Sequence, residues 1–220
     1  MKKDFVHLHL HSQYSLLDGA IKFDELFDEV KKQGMTSVAL TDHGNLFGAY
    51  EFYKNGKKKG IKPILGCEVY IAKDHKNKNP ENNKTHHLTV LCMNMEGYEN
   101  LCSLVSKGHL EGFYRKPRID RKMLFEKSSG LIVLSGCLNS EVCFNILKGN
   151  KDEAIKIASE YKNVLGDRYF IEIQGTLLRE QIRVNSTLRE IAKKLEIPVV
   201  ATNDCHYLTK DCFKSHDTLL

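Results

Sequence analysis

The chain has 220 residues, of which 41% are hydrophobic, so it can bury a sizeable core, and its length fits one large domain better than two small ones. Its 33 basic and 28 acidic side chains leave a formal charge of +5, which is compatible with an anionic partner but too small to identify one. No apolar run is long enough for a membrane span or a secretory signal, so we expect a cytoplasmic protein that does not bind membranes.

Strand-like apolar runs alternate with amphipathic helical patterns along the chain. The predicted strands are residues 5–10, 37–41, 62–72, 88–93, 131–135, 169–173 and 197–202. Apolar side chains at helical spacing predict helices whose stripes begin at Phe23, Tyr98, Ala154 and Val184, and we interpret these stripes as core packing. This alternation predicts βαβ units and a parallel sheet, either open or closed into a barrel of about seven units.

Two segments depart from this pattern. Residues 74–85 are polar and lack apolar periodicity, so they predict a mobile surface loop. Residues 209–220 resemble a capped helix that stops in the middle of its apolar pattern. We therefore expect the chain to be the N-terminal part of a longer protein.

Side chains that bind metals recur just beyond the carboxyl ends of the predicted strands. In β/α folds this edge is where active sites assemble. The segment FVHLHLHSQYSLLDG supplies three histidines on one strand face, of which we expect His7 to point deeper into the sheet. His87 fits less well, because it precedes its strand. The side chains at the strand ends are His9, His11, Asp18, Asp42, His43, Glu68, Cys137, Asp204 and His206.

This donor set predicts a multinuclear metal site. Imidazole mixed with carboxylate suits Zn, Mn or Fe, and the donors outnumber the needs of one tetrahedral ion, so we expect two or three clustered divalent ions. Such clusters hydrolyse phosphate esters, because they lower the pKa of bound water and neutralise the phosphate oxygens. Asp42, next to His43, is expected either to orient a ligand or to accept a proton.

The segment GFYRKPRID interleaves basic and aromatic residues. Arg115, Lys116 and Arg118 stand beside Phe113 and Tyr114, a combination that can bind a single DNA strand by phosphate contacts and base stacking. The alternative is a solvated loop whose rings anchor it to the fold. Both interpretations remain open at this point.

Seven strings resemble the PHP (polymerase and histidinol phosphatase) domain of bacterial DNA polymerase III alpha subunits of the DnaE type, over residues 5–212. They are HLHLHSQYSLLDG, ALTDHGNLFGAYEFY, GIKPILGCEVY, HHLTVLCMNMEGYENL, GFYRKPRID, GLIVLSGCLNSEV and PVVATNDCHYL. The resemblance implies a distorted (β/α)7 barrel that binds up to three ions, for which we consider Zn, Mn, Fe or Mg. The implied ligands are His9, His11, Asp18, His43, Glu68, His87, Cys137, Asp204 and His206, with His86 as an alternative to its neighbour. The candidate catalytic residues are Asp42, His43, Asp204 and His206.

The resemblance also implies that the chain is the N-terminal module of a DNA-directed DNA polymerase whose polymerase site lies elsewhere. Three functional hypotheses follow. The first is a metal-dependent 3′–5′ proofreading exonuclease that acts on a primer 3′ end. The second is a non-catalytic, metal-stabilised scaffold for the remaining subunit domains and other replisome subunits. The third is a free-standing phosphatase similar to histidinol phosphatase, which the strings NLFGAYEFY and GFYRKPRID and the unfinished C-terminus count against.

Overall fold

The computed structural model describes residues 5–80 and 84–220, which form a mixed α/β fold. Its helices and strands, in chain order, are α1 (Phe23–Lys32), β1 (Ser37–Leu40), α2 (Ala49–Lys59), β2 (Lys62–Ala72), β3 (Thr85–Cys92), α3 (Met95–Leu110), β4 (Arg118–Asp120), α4 (Arg121–Glu126), β5 (Leu131–Leu134), α5 (Glu141–Leu147), α6 (Lys151–Leu165), β6 (Tyr169–Gln174), α7 (Arg179–Lys194), β7 (Val199–Thr202) and α8 (Phe213–Leu219). Short 3-10 turns at Gly166–Arg168 and Lys210–Cys212 precede β6 and α8.

The seven strands form one curled sheet in the order β1-β2-β3-β5-β6-β7, and β4 pairs with β2 away from this path. All pairs are parallel except those of β3, which runs antiparallel to both β2 and β5. The prediction of a parallel sheet is therefore wrong for β3. The reason is local: the described residues between β2 and β3 contain no crossover helix, and a parallel neighbour needs one.

The prediction that residues 5–10 form a strand is also wrong, although this segment closes the barrel. The chain bends at His9, which interrupts the extended pattern. On one side, the carbonyl oxygens of residues 7 and 10 accept hydrogen bonds from the amides of residues 39 and 41, along β1. On the other side, the His11 amide donates to the Cys205 carbonyl just after β7. The predicted distorted (β/α)7 barrel is thus confirmed as the fold class, with six strands along the curled path, the first segment between its two ends, and β4, which was not predicted, beside β2.

The predicted helical stripes form the core. Helix α1 buries Phe23, Leu26, Phe27 and Val30, the four residues of its predicted stripe. The other predicted stripes lie on α3, α6 and α7, where the buried positions of α3 are shifted to Leu101 and Leu104. Within the described residues, none of the helices combines the length and apolar character needed to cross a bilayer.

Part of the predicted surface loop 74–85 is anchored. His75 is buried, and its Nδ1 lies 2.5 Å from Asp120 Oδ2 at the start of α4. The His75 carbonyl accepts a 3.0 Å hydrogen bond from the guanidinium of Arg118. Residues 81–83 of this segment lie outside the described residues, and Thr85 already belongs to β3.

Candidate metal centre

The barrel brings all nine predicted ligands to one end, around a cavity of about 460 Å³. The position of His87 follows from the direction of β3. Because β3 runs against β2, its first residues lie beside the carboxyl ends of the parallel strands, and His87 pairs with Tyr70, two residues beyond Glu68. The adjacent His86 points elsewhere and donates to the Asn139 carbonyl. Of the two histidines, the structure places His87 in the cluster.

The innermost group joins the first segment to the end of β7. Asp204 Oδ1 lies 3.2 Å from His9 Nε2 and 3.1 Å from His11 Nε2, and both imidazoles are fully buried. Asp204 itself adopts a left-handed backbone conformation, with φ of 53°, which is uncommon outside glycine. This conformation turns the chain sharply after β7 and directs the Asp204 side chain toward His9 and His11. His7 does not join the group, because the bend at His9 turns it toward Cys205 Sγ, 3.4 Å away.

Glu68 lies at the centre of the cluster. Its Oε2 is 2.6 Å from His43 Nδ1, and its Oε1 is 2.8 Å from His87 Nδ1. The same carboxylate lies 3.6 Å from the Nε2 atoms of both His9 and His11. Cys137 Sγ is 3.7 Å from Glu68 Oε1. One carboxylate therefore connects the innermost imidazoles to those at the cavity wall.

A third group lies nearest to solvent. Asp18 Oδ2 is 3.1 Å from His43 Nε2 and 3.8 Å from His206 Nε2. The His206 ring stacks on His11 with centroids 4.3 Å apart, and its Nδ1 donates to the Asp204 carbonyl. His43 thus faces Glu68 through one ring nitrogen and Asp18 through the other, so it lies between two groups.

Glu172 supports the cluster and was not predicted from the sequence. Its Oε1 accepts a 2.7 Å hydrogen bond from His9 Nδ1, and the hydroxyls of Thr202 and Thr89 donate to the same carboxylate. The available signal was an acidic residue inside the apolar strand YFIEIQ, where a buried carboxylate needs partners.

Asp42 contacts the serines beside His11, an arrangement that fits the first of its two predicted roles, orienting a ligand. The buried carboxylate accepts hydrogen bonds from the Ser12 amide at 2.7 Å, from the Ser12 hydroxyl at 2.9 Å and from the Ser15 hydroxyl at 2.8 Å. Ser15 Oγ in turn accepts from His11 Nδ1 at 3.0 Å. Within the described residues, the hydrogen bonds of this carboxylate are to the two serines, and Ser15 connects Asp42 to His11.

The electrostatics of the cluster depend on these contacts. Burial lowers the pKa of His43, but the Asp18 and Glu68 carboxylates outweigh burial and raise it to about 9. Burial lowers the pKa of His11 to about 4. Burial raises the pKa of Glu68, but its histidine neighbours hold that pKa well below the usual value, and those around Asp204 act in the same way.

The residues present fit divalent cations. Asp18, Glu68 and Asp204 have only histidines as ion partners within the described residues, so the cluster gathers carboxylate and imidazole donors, the mixture that Zn, Mn and Fe bind. Several buried polar atoms there face one another at ion-pair distances but make no hydrogen bond of normal geometry in the described structure, although such atoms usually do. They are His9 Nε2, His11 Nε2, Asp18 Oδ1, His43 Nδ1, Glu68 Oε2 and Asp204 Oδ1.

The basic loop contributes two of its three predicted DNA-binding residues to this cavity. Arg115 and Lys116 line it, Arg115 with φ of 63° at the tip of a tight turn and Lys116 with its Nζ 4.5 Å from the centre of the Tyr70 ring. The prediction for Arg118 is wrong. This residue is fully buried in β4, and its guanidinium donates to the carbonyls of Gly112 and His75.

Comparison with known proteins identifies the relatives of this chain. Residues 7–176 match the family model described as the PHP domain. The DNA polymerase III subunit alpha of Thermus aquaticus is 47% identical over 100% of this chain, and that of Aquifex aeolicus is 42% identical over 100%. The chain spans only 18% and 20% of these relatives. A solved structure from Bifidobacterium adolescentis, described as a metal-dependent phosphoesterase, has the same fold, with a TM-score of 0.59 and 14% sequence identity. The match covers 99% of this chain and 96% of that chain.

Proposed function

The chain belongs to the PHP domain family, and on that premise we propose that it is a multinuclear phosphoesterase module that removes nucleotides from DNA 3′ ends. The parent protein would be a replicative DNA polymerase III alpha subunit. This module would serve as its 3′–5′ proofreading exonuclease. The observation that carries this proposal is the placement of unsatisfied metal-type donors and two basic side chains around a single cavity.

Three overlapping donor groups would hold two or three divalent ions, for which Zn, Mn, Fe and Mg are the candidates. The groups are His9, His11 and Asp204; His43, Glu68 and His87; and His11, His43 and His206. Cys137 would add a donor to the second group and Asp18 to the third. Bound ions would supply Lewis acidity toward the phosphate and an activated water at neutral pH.

The protein's own side chains would orient the substrate around those ions. Arg115 and Lys116 would attract the phosphates of the strand at the cavity mouth. His206 is fixed through Nδ1 by the Asp204 carbonyl, which leaves Nε2 facing the cluster. The lone pair of that atom would bind an ion, or, after Nε2 takes up a proton from water, the imidazolium would give that proton to the leaving 3′ oxygen.

The curated relatives favour the polymerase branch of the family over a free-standing phosphatase, because matches that cover the whole chain are to polymerase subunits. The partners would then be a primer 3′ end, the remaining domains of the subunit and other replisome subunits. A replicative role would place the module in the bacterial cytoplasm.

The decisive experiment uses the metal-reconstituted chain and a 5′-labelled primer with a mismatched 3′ end. We expect a ladder of shortened products that disappears with chelator and with the Asp204→Asn variant, while His86→Ala, outside the cluster, retains it. The same assay is run in the full-length subunit, which would deliver the primer end. If the fully loaded protein shortens no strand in either form, and His43→Ala lowers only the melting temperature, the module is a metal-stabilised scaffold.

A further inference from the structure

A row of three rings stands at the mouth of the metal cavity. Phe47 and His109 line the cavity, with ring centroids 6.3 Å apart. Phe113 extends the row, stacked on His109 at 6.2 Å with an angle of 24° between the ring planes. The two phenylalanines are 63% and 49% exposed, so they are not part of the core.

The central ring is tied to the loop that carries a predicted metal ligand. His109 Nε2 donates a 2.9 Å hydrogen bond to the carbonyl of Gly44, the residue after His43. Gly44 has φ of 59°, and a Cβ there would come within 2.6 Å of Pro117 Cγ. Glycine thus allows the loop after β1 to pack directly against the basic loop.

The first ring of the row is fixed by the same loop. Asn45 donates through Nδ2 to the His43 carbonyl at 2.9 Å, and its Oδ1 accepts from the Phe47 amide at 3.0 Å. These contacts therefore hold the row of rings at a fixed distance from the cluster of predicted metal ligands. Both phenylalanines lie in loops, and within the described residues their rings are exposed beside the cavity.

We propose that Phe47, His109 and Phe113 form a stacking surface for an unpaired nucleobase at the end of the bound strand. This inference rests on the proposed function and names the feature of the substrate that the site would select. Exposed aromatic rings beside basic side chains are how proteins hold single-stranded nucleic acid, through base stacking and phosphate contacts together. The cavity has a volume of about 460 Å³, which lies within the size range of small-molecule sites. A cavity of this size accommodates one nucleotide.

Selection of an unpaired base follows from energetics. A base can reach these rings only after it leaves the duplex stack, and a mismatched terminal base leaves most easily. The stacking surface would thus favour frayed ends over paired ones, before any bond is broken.

The test measures binding rather than hydrolysis. Two fluorescent single strands with phosphorothioate linkages are compared, identical except that one ends in thymidine and the other in an abasic residue. We expect the metal-loaded protein to bind the thymidine end at least about fivefold more tightly, in line with the stacking of one base. The Phe47→Ala/Phe113→Ala double variant should bind both strands equally, at the affinity of the abasic strand.

Tyr50→Ala is the matched control, because this ring is 75% exposed but lines a different cavity, and it should retain the preference. Thermal melting establishes that each variant is folded. Equal affinity of the unmodified protein for the two strands overturns the inference, and so does a preference that survives in a folded double variant. If the protein prefers the thymidine end but hydrolyses no strand, the stacking surface is supported and the exonuclease is refuted. If it hydrolyses DNA without that preference, the exonuclease is supported and the stacking surface is refuted.

Discussion

His9 Nδ1 lies 2.7 Å from Glu172 Oε1, and both side chains are fully buried. A carboxylate in this position accepts a hydrogen bond from Nδ1–H, so the Nε2 atom of His9 faces Asp204 and Glu68. Two further hydroxyl donors hold Glu172 itself. The orientation of the His9 ring is therefore set by a side chain of β6, on the side away from the cavity.

The first prediction concerns this contact. Glu172→Gln keeps the shape of the side chain but removes the charge that raises the basicity of His9. We expect metal affinity to fall about 10-fold to 100-fold, as with other carboxylate partners of ligating histidines. Competition titration with a chromophoric chelator measures it. Glu180→Gln, on the exposed surface of α7, is the control and should bind metal normally. An unchanged affinity in Glu172→Gln would show that His9 is not a ligand.

Metal removal should destabilise the fold. At free metal about 100-fold above its dissociation constant, one ion adds about 2.7 kcal/mol to the folded state. For a domain of this size, that corresponds to a melting temperature higher by about 5–10 °C. Calorimetry before chelation, after chelation and after reloading measures this shift. Variants His9→Ala and Asp204→Ala should bind less metal and show a smaller shift, and an equal shift in all three proteins would contradict the assignment.

The chelated protein should lose stability as pH rises above neutrality. Neighbouring carboxylates raise the pKa of His43 to about 9, against about 6.5 in the unfolded chain. A raised pKa means that this contribution to stability is fully present below pH 6.5 and is lost as pH rises through 9. The loaded protein should show the opposite trend over that range, because metal competes with protons for the imidazole.

Urea denaturation at several pH values, with and without chelator, tests this reversal. His43→Gln should make the slope of the chelated protein shallower, because one titrating group is gone, while His9, whose pKa neighbouring carboxylates also raise, still contributes. His86→Gln should retain it, since His86 contacts the Asn139 carbonyl outside the cluster. A chelated protein whose stability rises between pH 6.5 and 9 would show that carboxylate contacts do not raise the pKa of His43.

Sequence patterns predicted the cluster better than the strands that support it. The side chains of the cluster could be predicted because His, Asp and Glu directly follow apolar runs in the sequence. The fold then brings the ends of those strands together. The direction of β3 could not be predicted, because a strand has the same apolar pattern whichever way it runs. Only the direct connection between β2 and β3 sets the direction of β3. His87 looked misplaced for that reason, although its pairing with Tyr70 brings it to the site.

Polar side chains with buried partners were the hardest to predict. Glu172 and Arg118 are both fully or almost fully buried, and their partners are distant in sequence: Thr89 and His9 for the carboxylate, His75 for the guanidinium. Composition alone assigns charged residues to the surface. Their burial depends on tertiary contacts that no short stretch of sequence contains.

The two exposed basic residues of the loop should account for its electrostatic contribution to DNA binding. In the Arg115→Ala/Lys116→Ala variant, the dependence of log affinity on log salt for single-stranded DNA should weaken by up to about 1.4, or about 0.7 for each phosphate that is no longer neutralised. Anisotropy titrations over a range of salt concentrations measure it. Lys57→Ala/Lys58→Ala, a pair exposed on α2, is the control and should leave the slope unchanged. The same decrease in slope in both variants would indicate a non-specific charge effect.

Arg118 should act on stability instead of DNA binding. Its Nε donates to the Gly112 carbonyl at 2.9 Å and its Nη2 to the His75 carbonyl at 3.0 Å, so it ties the basic loop and the segment after β2 to β4. Arg118→Met preserves the buried aliphatic stem but leaves these carbonyls without their donor. We expect a loss of about 2–4 kcal/mol in the free energy of unfolding, measured by urea denaturation. Arg183→Met, exposed on α7, should change it little. If Arg118→Met instead keeps full stability and lowers the salt slope of DNA binding, the guanidinium reaches the strand, and the buried position described here does not represent the DNA-bound protein.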